Sequence, residues 1–363
     1  MKPLFTLPVL LMLTALAAAQ DPGTQEIPAP ERPYEFRYSF AAIEDATFYS
    51  NLRAPIPGFL NQSLLEPKAT LRYHERVTLS ASLIGVADTY SGTNGRLRVR
   101  ETYAGLSAGD FDFLAGRRMV RWGTGYAFTA AGVLDPPRDP TNPSDRLNLN
   151  QGRDMVKADW VKGRHALTAA WSTALLAPAT TNLHDTSAFR YNVLVHGFDT
   201  SLIAGHDRGG DTFGAMTFTR VFGPAWEVHG EAAWRDQGAA LMGAKFTTAS
   251  GVTFIGEFFS PPNIPYYRDM TVSPLAGRQN YAFFNATKSR LRELPGWKEW
   301  DLGAYAVTNL NDHSYVAAFD ANRRFGNRFS TYLHLEIPRG AVNSDFGATP
   351  YATATSLGVR FQL

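Results

Sequence analysis

Eight histidines are spread singly along this chain, and only His229 is closely flanked on its own face by carboxylates, Glu227 and Glu231. An imidazole between two carboxylates can hold a divalent cation weakly. The same period-two spacing also makes the polar wall of a strand, and that plainer reading is preferred, so no metal site is expected. Stronger chemistry is missing. The sequence has no Gly-x-Ser-x-Gly elbow, no His-Glu-x-x-His zinc helix and no Walker-type phosphate loop. The absence of cysteine removes thiol catalysis, thiolate metal sites and disulfides. The expectation is a protein that is not an enzyme and needs no cofactor.

The elements that hold these side chains must therefore be read for another purpose. The chain has 363 residues, 44% of them hydrophobic and 13% aromatic, which is too much apolar surface for a disordered chain. Net charge is +2, with basic residues scattered, so nucleic acid is not a partner. Mean hydropathy is −0.21, and no apolar run past residue 20 approaches the length of a spanning helix. A bundle of membrane helices is excluded.

The first segment predicts export. Lys2, an apolar stretch from Leu4 to Leu16 and the small residues Ala17-Ala18-Ala19 have the layout of a secretory signal peptide cleaved after Ala19. Residues 1–19 are thus the signal peptide and residues 20–33 a Pro-rich extended tail, leaving 34–363 as the folded domain.

That domain alternates. Trp226, Val228, Ala232 and Trp234 oppose Glu227, His229, Glu231 and Arg235; Phe329, Leu333, Leu335 and Ile337 oppose Ser330, Tyr332, His334 and Glu336. Period two over nine or ten residues predicts strands with one apolar and one polar face. They are longer than the strands of a soluble sandwich and match a tilted membrane crossing. Aromatics stand at strand ends on the apolar face: Tyr73, Trp122, Trp160, Trp171, Trp226, Trp234, Trp300 and Phe361. This banding suits an outer-membrane barrel. The sequence predicts an all-β, antiparallel, up-and-down transmembrane β-barrel of about eighteen strands, or sixteen if two weak segments are not strands. Keeping the weak strand 190–196 puts every long connection, Glu44 to Leu64, Gly123 to Arg153, Ala177 to Phe189, Ser260 to Gln279 and Pro338 to Tyr351, on the extracellular side. The turns left on the periplasmic side are then all short.

Two features carry a resemblance. Arg117, Arg118 and Arg121 lead into Trp122-Gly123, followed by a Pro- and Asp-rich third outer loop running through Leu134-Asp135-Pro136-Pro137-Arg138-Asp139-Pro140. This pattern resembles the porin-like outer-membrane barrels of Gram-negative bacteria. The last strand, with Leu357, Val359, Phe361 and Leu363 on one face, looks like the signal that the barrel-assembly machinery reads, although Leu363 stands where Phe is usual. The resemblance implies residence in the cell outer membrane and a third loop that folds inward to narrow the pore. Asp135, Arg138, Asp139, Asp145 and Arg146 would then form the constriction. The alternative is an outward surface loop held by its own prolines.

The polar faces are expected to line the lumen, with early strands supplying Lys68, Arg72, Arg98, Arg100 and Lys157. Later strands supply Glu227, Glu231, Glu257, Glu299, Asp301, Asp320 and Glu336. Strand order is circumferential order in a meander, so opposite arcs would bear opposite charge and set a transverse field across the pore. No single register turns Arg117, Arg118 and Arg121 all inward; a bulge near Gly116 would help. The expected function is diffusion of small hydrophilic solutes. The competing reading is a plugged barrel that binds or anchors surface polysaccharide. Expected partners are outer-membrane lipid, the assembly machinery and small solutes, with self-association left open. Arg at lipid-facing Leu333 is expected to destabilise and Arg at lumen-facing His334 to be mild.

Overall fold

The computed structural model describes residues 33–89, 95–136, 138–143, 146–147, 149–173, 185–207, 211–235, 237–261, 279–291 and 296–363. The expected signal peptide, the tail up to residue 32, Asp145 and most of loops 177–189 and 260–279 lie outside the described residues.

Alternation of apolar and polar residues leaves each segment one stable solution, a strand in a sheet wetted differently on its two faces. Eighteen such strands form. The first six are β1 (Tyr34–Ser50), β2 (Phe59–Tyr73), β3 (Val77–Asp88), β4 (Arg96–Ala108), β5 (Phe111–Arg118) and β6 (Arg153–Lys162). Next come β7 (His165–Thr173), β8 (Thr186–Val195), β9 (Phe198–Asp207), β10 (Thr212–Phe222), β11 (Trp226–Trp234) and β12 (Gly238–Thr247). The chain ends with β13 (Val252–Ser260), β14 (Tyr281–Ser289), β15 (Trp300–Asn309), β16 (Tyr315–Phe325), β17 (Phe329–Arg339) and β18 (Thr353–Gln362). Every strand pairs antiparallel with its sequence neighbours, and β1 closes the cylinder on β18 from Ala41↔Gln362 to Ser50↔Thr353. Closure leaves no sheet edge along the paired length, which is what a bilayer demands of strands. No helix occurs among the described residues.

Connections at one end are tight, helped by left-handed residues such as Gly163 (φ 62) and Gly326 (φ 65). The 34-residue connection between β5 and β6, residues 119–152, leaves from the other end. The sequence-based boundaries need one correction there: Glu44 to Leu64 is not a long loop, because β1 and β2 continue through it and are joined by residues 51–58 alone. Asp45 and Thr47 point inward in this extension, and inward polar partners keep the ladder going where the sequence looked loop-like.

Large apolar side chains cover the outside. Leu202, Met242, Phe284, Leu333 and Leu357 are all exposed, a continuous apolar wall that a water-soluble surface does not carry. Tyr73, Trp171, Trp226 and Trp234 are exposed on that wall. Trp122 departs from the predicted girdle. It lies beyond the end of β5 and packs with Leu134, Ala188, Ile203 and Phe213 on the inside.

Candidate functional site

Directly paired residues share a face, so the register fixes what lines the interior. Glu231 pairs with Thr217 and Leu241, and Glu257 pairs with Gly243 and Phe283; all lie on the inner face. Residues 119–152 sit against this inner face. Glu231 accepts hydrogen bonds from the backbone N–H groups of Thr124 (2.5 Å), Gly125 (2.8 Å), Ala130 (2.6 Å) and Ala131 (2.7 Å), and from Thr129 Oγ1 (2.8 Å). Glu257 accepts from the N–H groups of Tyr126, Ala127 (2.9 Å) and Phe128 (3.3 Å). Buried carboxylates are tolerable only when their lone pairs are filled, and here loop backbone fills them.

Close approach has steric conditions. A Cβ on Gly125 would stand 2.3 Å from the Phe128 carbonyl oxygen, so the turn requires glycine. His229 is fully buried, its Nε2 3.0 Å from Glu257 Oε1, and Gly243 opposite it leaves the room that a Cβ would take. Tyr126 donates its hydroxyl to Glu227 (2.9 Å) while Lys245 donates to Tyr126 (3.2 Å). Burial, together with Glu227, raises the Tyr126 hydroxyl above its ordinary pKa despite Lys245, which keeps it a donor. Apolar contact completes the seat. Phe128 stacks on Phe259 with centroids 4.9 Å apart, within a cluster that includes Leu241, Phe283 and Val307.

The expected constriction residues separate into different roles. Asp135 accepts from the N–H groups of Trp122 (2.6 Å) and Gly123 (3.2 Å) and from Arg138 (3.0 Å). Arg138 also donates to the carbonyls of Phe128 and Gly123. Both charges thus close the loop on itself instead of facing the early strands. Burial pushes the Asp135 carboxyl above the ordinary carboxylate range against the pull of Arg138 and the two N–H groups. Asp139 caps Thr141 locally. Arg146 reaches the opposite wall: its Nε lies 3.6 Å from Asp45 Oδ2, Nη2 donates to Ser356 (3.2 Å), and its guanidinium lies over Tyr332. Arg360 donates to the Arg146 carbonyl (2.6 Å), and Leu147 packs on Ile43, Leu64 and Ile84. The loop therefore contacts inner-face residues from β7 to β15 and then those of β17, β18 and β1 to β3.

Of the early basic set, Lys68, Arg72 and Arg98 are exposed, Arg100 is buried against Glu66 (2.5 Å), and Lys157 is paired with Asp159. On the later strands Glu231 and Glu257 are covered by the loop, and Glu227 is partly covered by Tyr126. Asp301 binds Arg324 (2.7 Å), Asp320 meets His334 Nδ1 (2.7 Å), and Glu336 accepts from Tyr351 (2.8 Å). Glu299 is exposed just before β15, at the short-turn end. Gly116 has φ 124, and Arg118 beyond it stacks over Tyr103 at 4.5 Å, while Arg117 is bound to Asp154 (2.8 Å). Sequence reasoning missed Asp45, Glu66 and Glu101. The last accepts the Met119 N–H at the root of the loop (2.9 Å); strict alternation from Arg98 and Arg100 puts Glu101 outside, and the register shift opposite Ser82 and Leu83 turns it inward.

No family model matches the chain, and no curated protein matches it in sequence. Solved structures do resemble it. The outer membrane protein OpdK from Pseudomonas aeruginosa aligns with TM-score 0.63 at 10% identity, covering 91% of this chain and 98% of that one. OccK5 (OpdH) of the same organism aligns at 0.60 and 9% identity, over 91% and 98%. A variant of Rh. blastica porin aligns at 0.51 and 11%, over 91% and 100%. The likeness lies in the fold alone: this chain shares the closed antiparallel β-barrel of these proteins.

Proposed function

We propose that the protein is an outer-membrane channel through which small hydrophilic solutes diffuse, with residues 119–152 narrowing its lumen. The observation that carries this reading is the seating of the loop on Glu231 and Glu257, inside the wall and not above it. The same seating shifts the charge balance. Two acids of the acidic arc are covered by the loop, while Lys68, Arg72 and Arg98 stay exposed. Field focused in a narrow pore then favours anions over cations, a refinement of the balanced transverse field expected from sequence. Planar-bilayer recording in a salt gradient tests this. Stable ohmic steps with a reversal potential on the anion side support it; a cation-side potential contradicts the charge assignment.

A second reading rests on the same loop. Phe128 packs on one wall and Leu147 on the opposite one, so the loop could close the lumen and leave the long connections as a surface for polysaccharide. A chain that inserts but gives no steps, and that binds surface glycan, would belong to this class.

A further inference from the structure

At the short-turn end the outer wall carries cations that no acid answers. Tyr191 pairs with Leu202, which is exposed on the outer wall, so Tyr191 and, at period two, Val193 and Val195 share that face. Tyr191 also pairs with Leu167, which pairs with Trp160, and the two rings stand where an interfacial girdle belongs. Beyond that row, Arg164 and His165 of one hairpin and residues 193–197 of the next line a cleft of about 450 Å³. His165 Nδ1 lies 2.7 Å from the Tyr191 hydroxyl, which leaves Nε2 for another partner. The turn from β8 to β9 is made by His196 (φ 49) and Gly197 (φ 80), both left-handed. A Cβ on Gly197 would stand 4.0 Å from Arg220 Nε, so Arg220 borders the same cleft, its guanidinium stacked over Phe198 at 4.5 Å and Phe222 at 4.6 Å. Among the described residues, the side chains of Arg164, His196 and Arg220 meet no acid. Asp199, beside the turn, shares the inner face with buried Ser201 and accepts there from Asn192.

We infer that this cleft binds the head group of an anionic phospholipid in the periplasmic leaflet, with Arg164 and Arg220 on its phosphate. A guanidinium presents forked donors that match two phosphate oxygens, and stacking on Phe198 and Phe222 holds that of Arg220 at the level of the rings. His165 Nε2 and His196 add donors at the rim of the cleft. Tyr191, Val193 and Val195 continue the outer wall above the cations and give the acyl chains an apolar surface. A soluble phosphate ester would use the cations and leave that surface unused, which is why the occupant is a lipid. Arg323 on β16 offers a comparison. It is stacked in the same way, over Trp300 and Phe325, but the adjoining Arg324 is already paired with Asp301. The inference rests on the outer wall facing lipid and not on whether the lumen conducts, so it and the channel reading fail independently.

Native mass spectrometry of the detergent-solubilised barrel, titrated with phosphatidylglycerol or with phosphatidylcholine of the same acyl chains, tests it. The expected result is retention of phosphatidylglycerol in preference to phosphatidylcholine. Arg164→Gln and Arg220→Gln should each weaken that retention about tenfold, the effect of losing one charge-assisted bond, and Arg323→Gln should leave it unchanged. Heat-modifiable migration on gels shows that each variant is a closed barrel. Excess glycerophosphoglycerol, the same head group without chains, should not displace the lipid. Equal retention of the two lipids overturns the inference, as does undiminished retention by closed Arg164→Gln and Arg220→Gln barrels. A loss as large in Arg323→Gln overturns it too, and displacement by glycerophosphoglycerol would make the cleft a site for soluble phosphate esters instead.

Discussion

The two limbs of the inner loop are held by opposite logic. Residues 122–138 are tied to the wall through their backbone, with seven N–H groups (those of Thr124, Gly125, Tyr126, Ala127, Phe128, Ala130 and Ala131) ending on Glu231 and Glu257. Residues 139–152 are tied through side chains, chiefly Arg146 to Asp45 and Ser356, with Leu147 in an apolar socket. Backbone anchoring puts the polar determinants in the wall, and the loop adds its glycines and the packing of Trp122 and Phe128. Side-chain anchoring puts them in the loop. The first limb should therefore be broken by wall substitutions and the second by loop substitutions.

The largest effect should come from Glu231→Leu. It strips four buried N–H groups and the Thr129 hydroxyl of their acceptor. At about 1–3 kcal/mol per orphaned buried donor, the limb should detach; limited proteolysis should cut between residues 122 and 138 in the variant and not in the parent. Next is Leu333→Arg on the exposed outer wall, expected to cost about 2–4 kcal/mol if Leu333 lies at the bilayer midplane, read by urea unfolding in lipid vesicles. The companion expectation for His334 changes: it is only 3% exposed and held by Asp320, so His334→Arg is no longer mild and should also destabilise. Arg146→Met should cost about 1–3 kcal/mol through the loss of charge-assisted bonds. Asp45 keeps its donors Thr47 and Tyr332, so only the second limb should become protease-sensitive. Thr124→Ala should be smallest, within about 1 kcal/mol, because the Thr124 backbone and not its side chain makes the short bond to Glu231. A Thr124→Ala effect as large as that of Glu231→Leu would erase the distinction between the limbs.

The barrel itself was legible because period two states which face each residue takes. Trp226 to Trp234 follows it, and so does the weak strand near 190–196, which forms as β8. Partners were not legible. Glu231 and Glu257 read as pore lining because a one-dimensional pattern gives the face of a carboxylate and not the loop N–H groups that will fill it. Backbone donors leave no residue signature. Trp122 was misplaced for a related reason: an aromatic after a strand suits an interface girdle or a loop cluster equally, and Leu134, Ile203 and Phe213 decide the matter in space. Arg146 was the exception, a loop charge visible in sequence that does reach the opposite wall, although its partner Asp45 lay in a stretch read as loop.

The central claim is that residues 119–152 narrow an open lumen. Single-channel conductance of the parent protein against a variant lacking Pro136 to Ser144 tests it most directly, since the strand-to-strand hydrogen bonds of the wall do not depend on the loop. The account predicts discrete ohmic steps from the parent and larger steps with weaker solute exclusion from the deletion. Equal conductance from both, in correctly folded barrels, would place the constriction in the wall and contradict it.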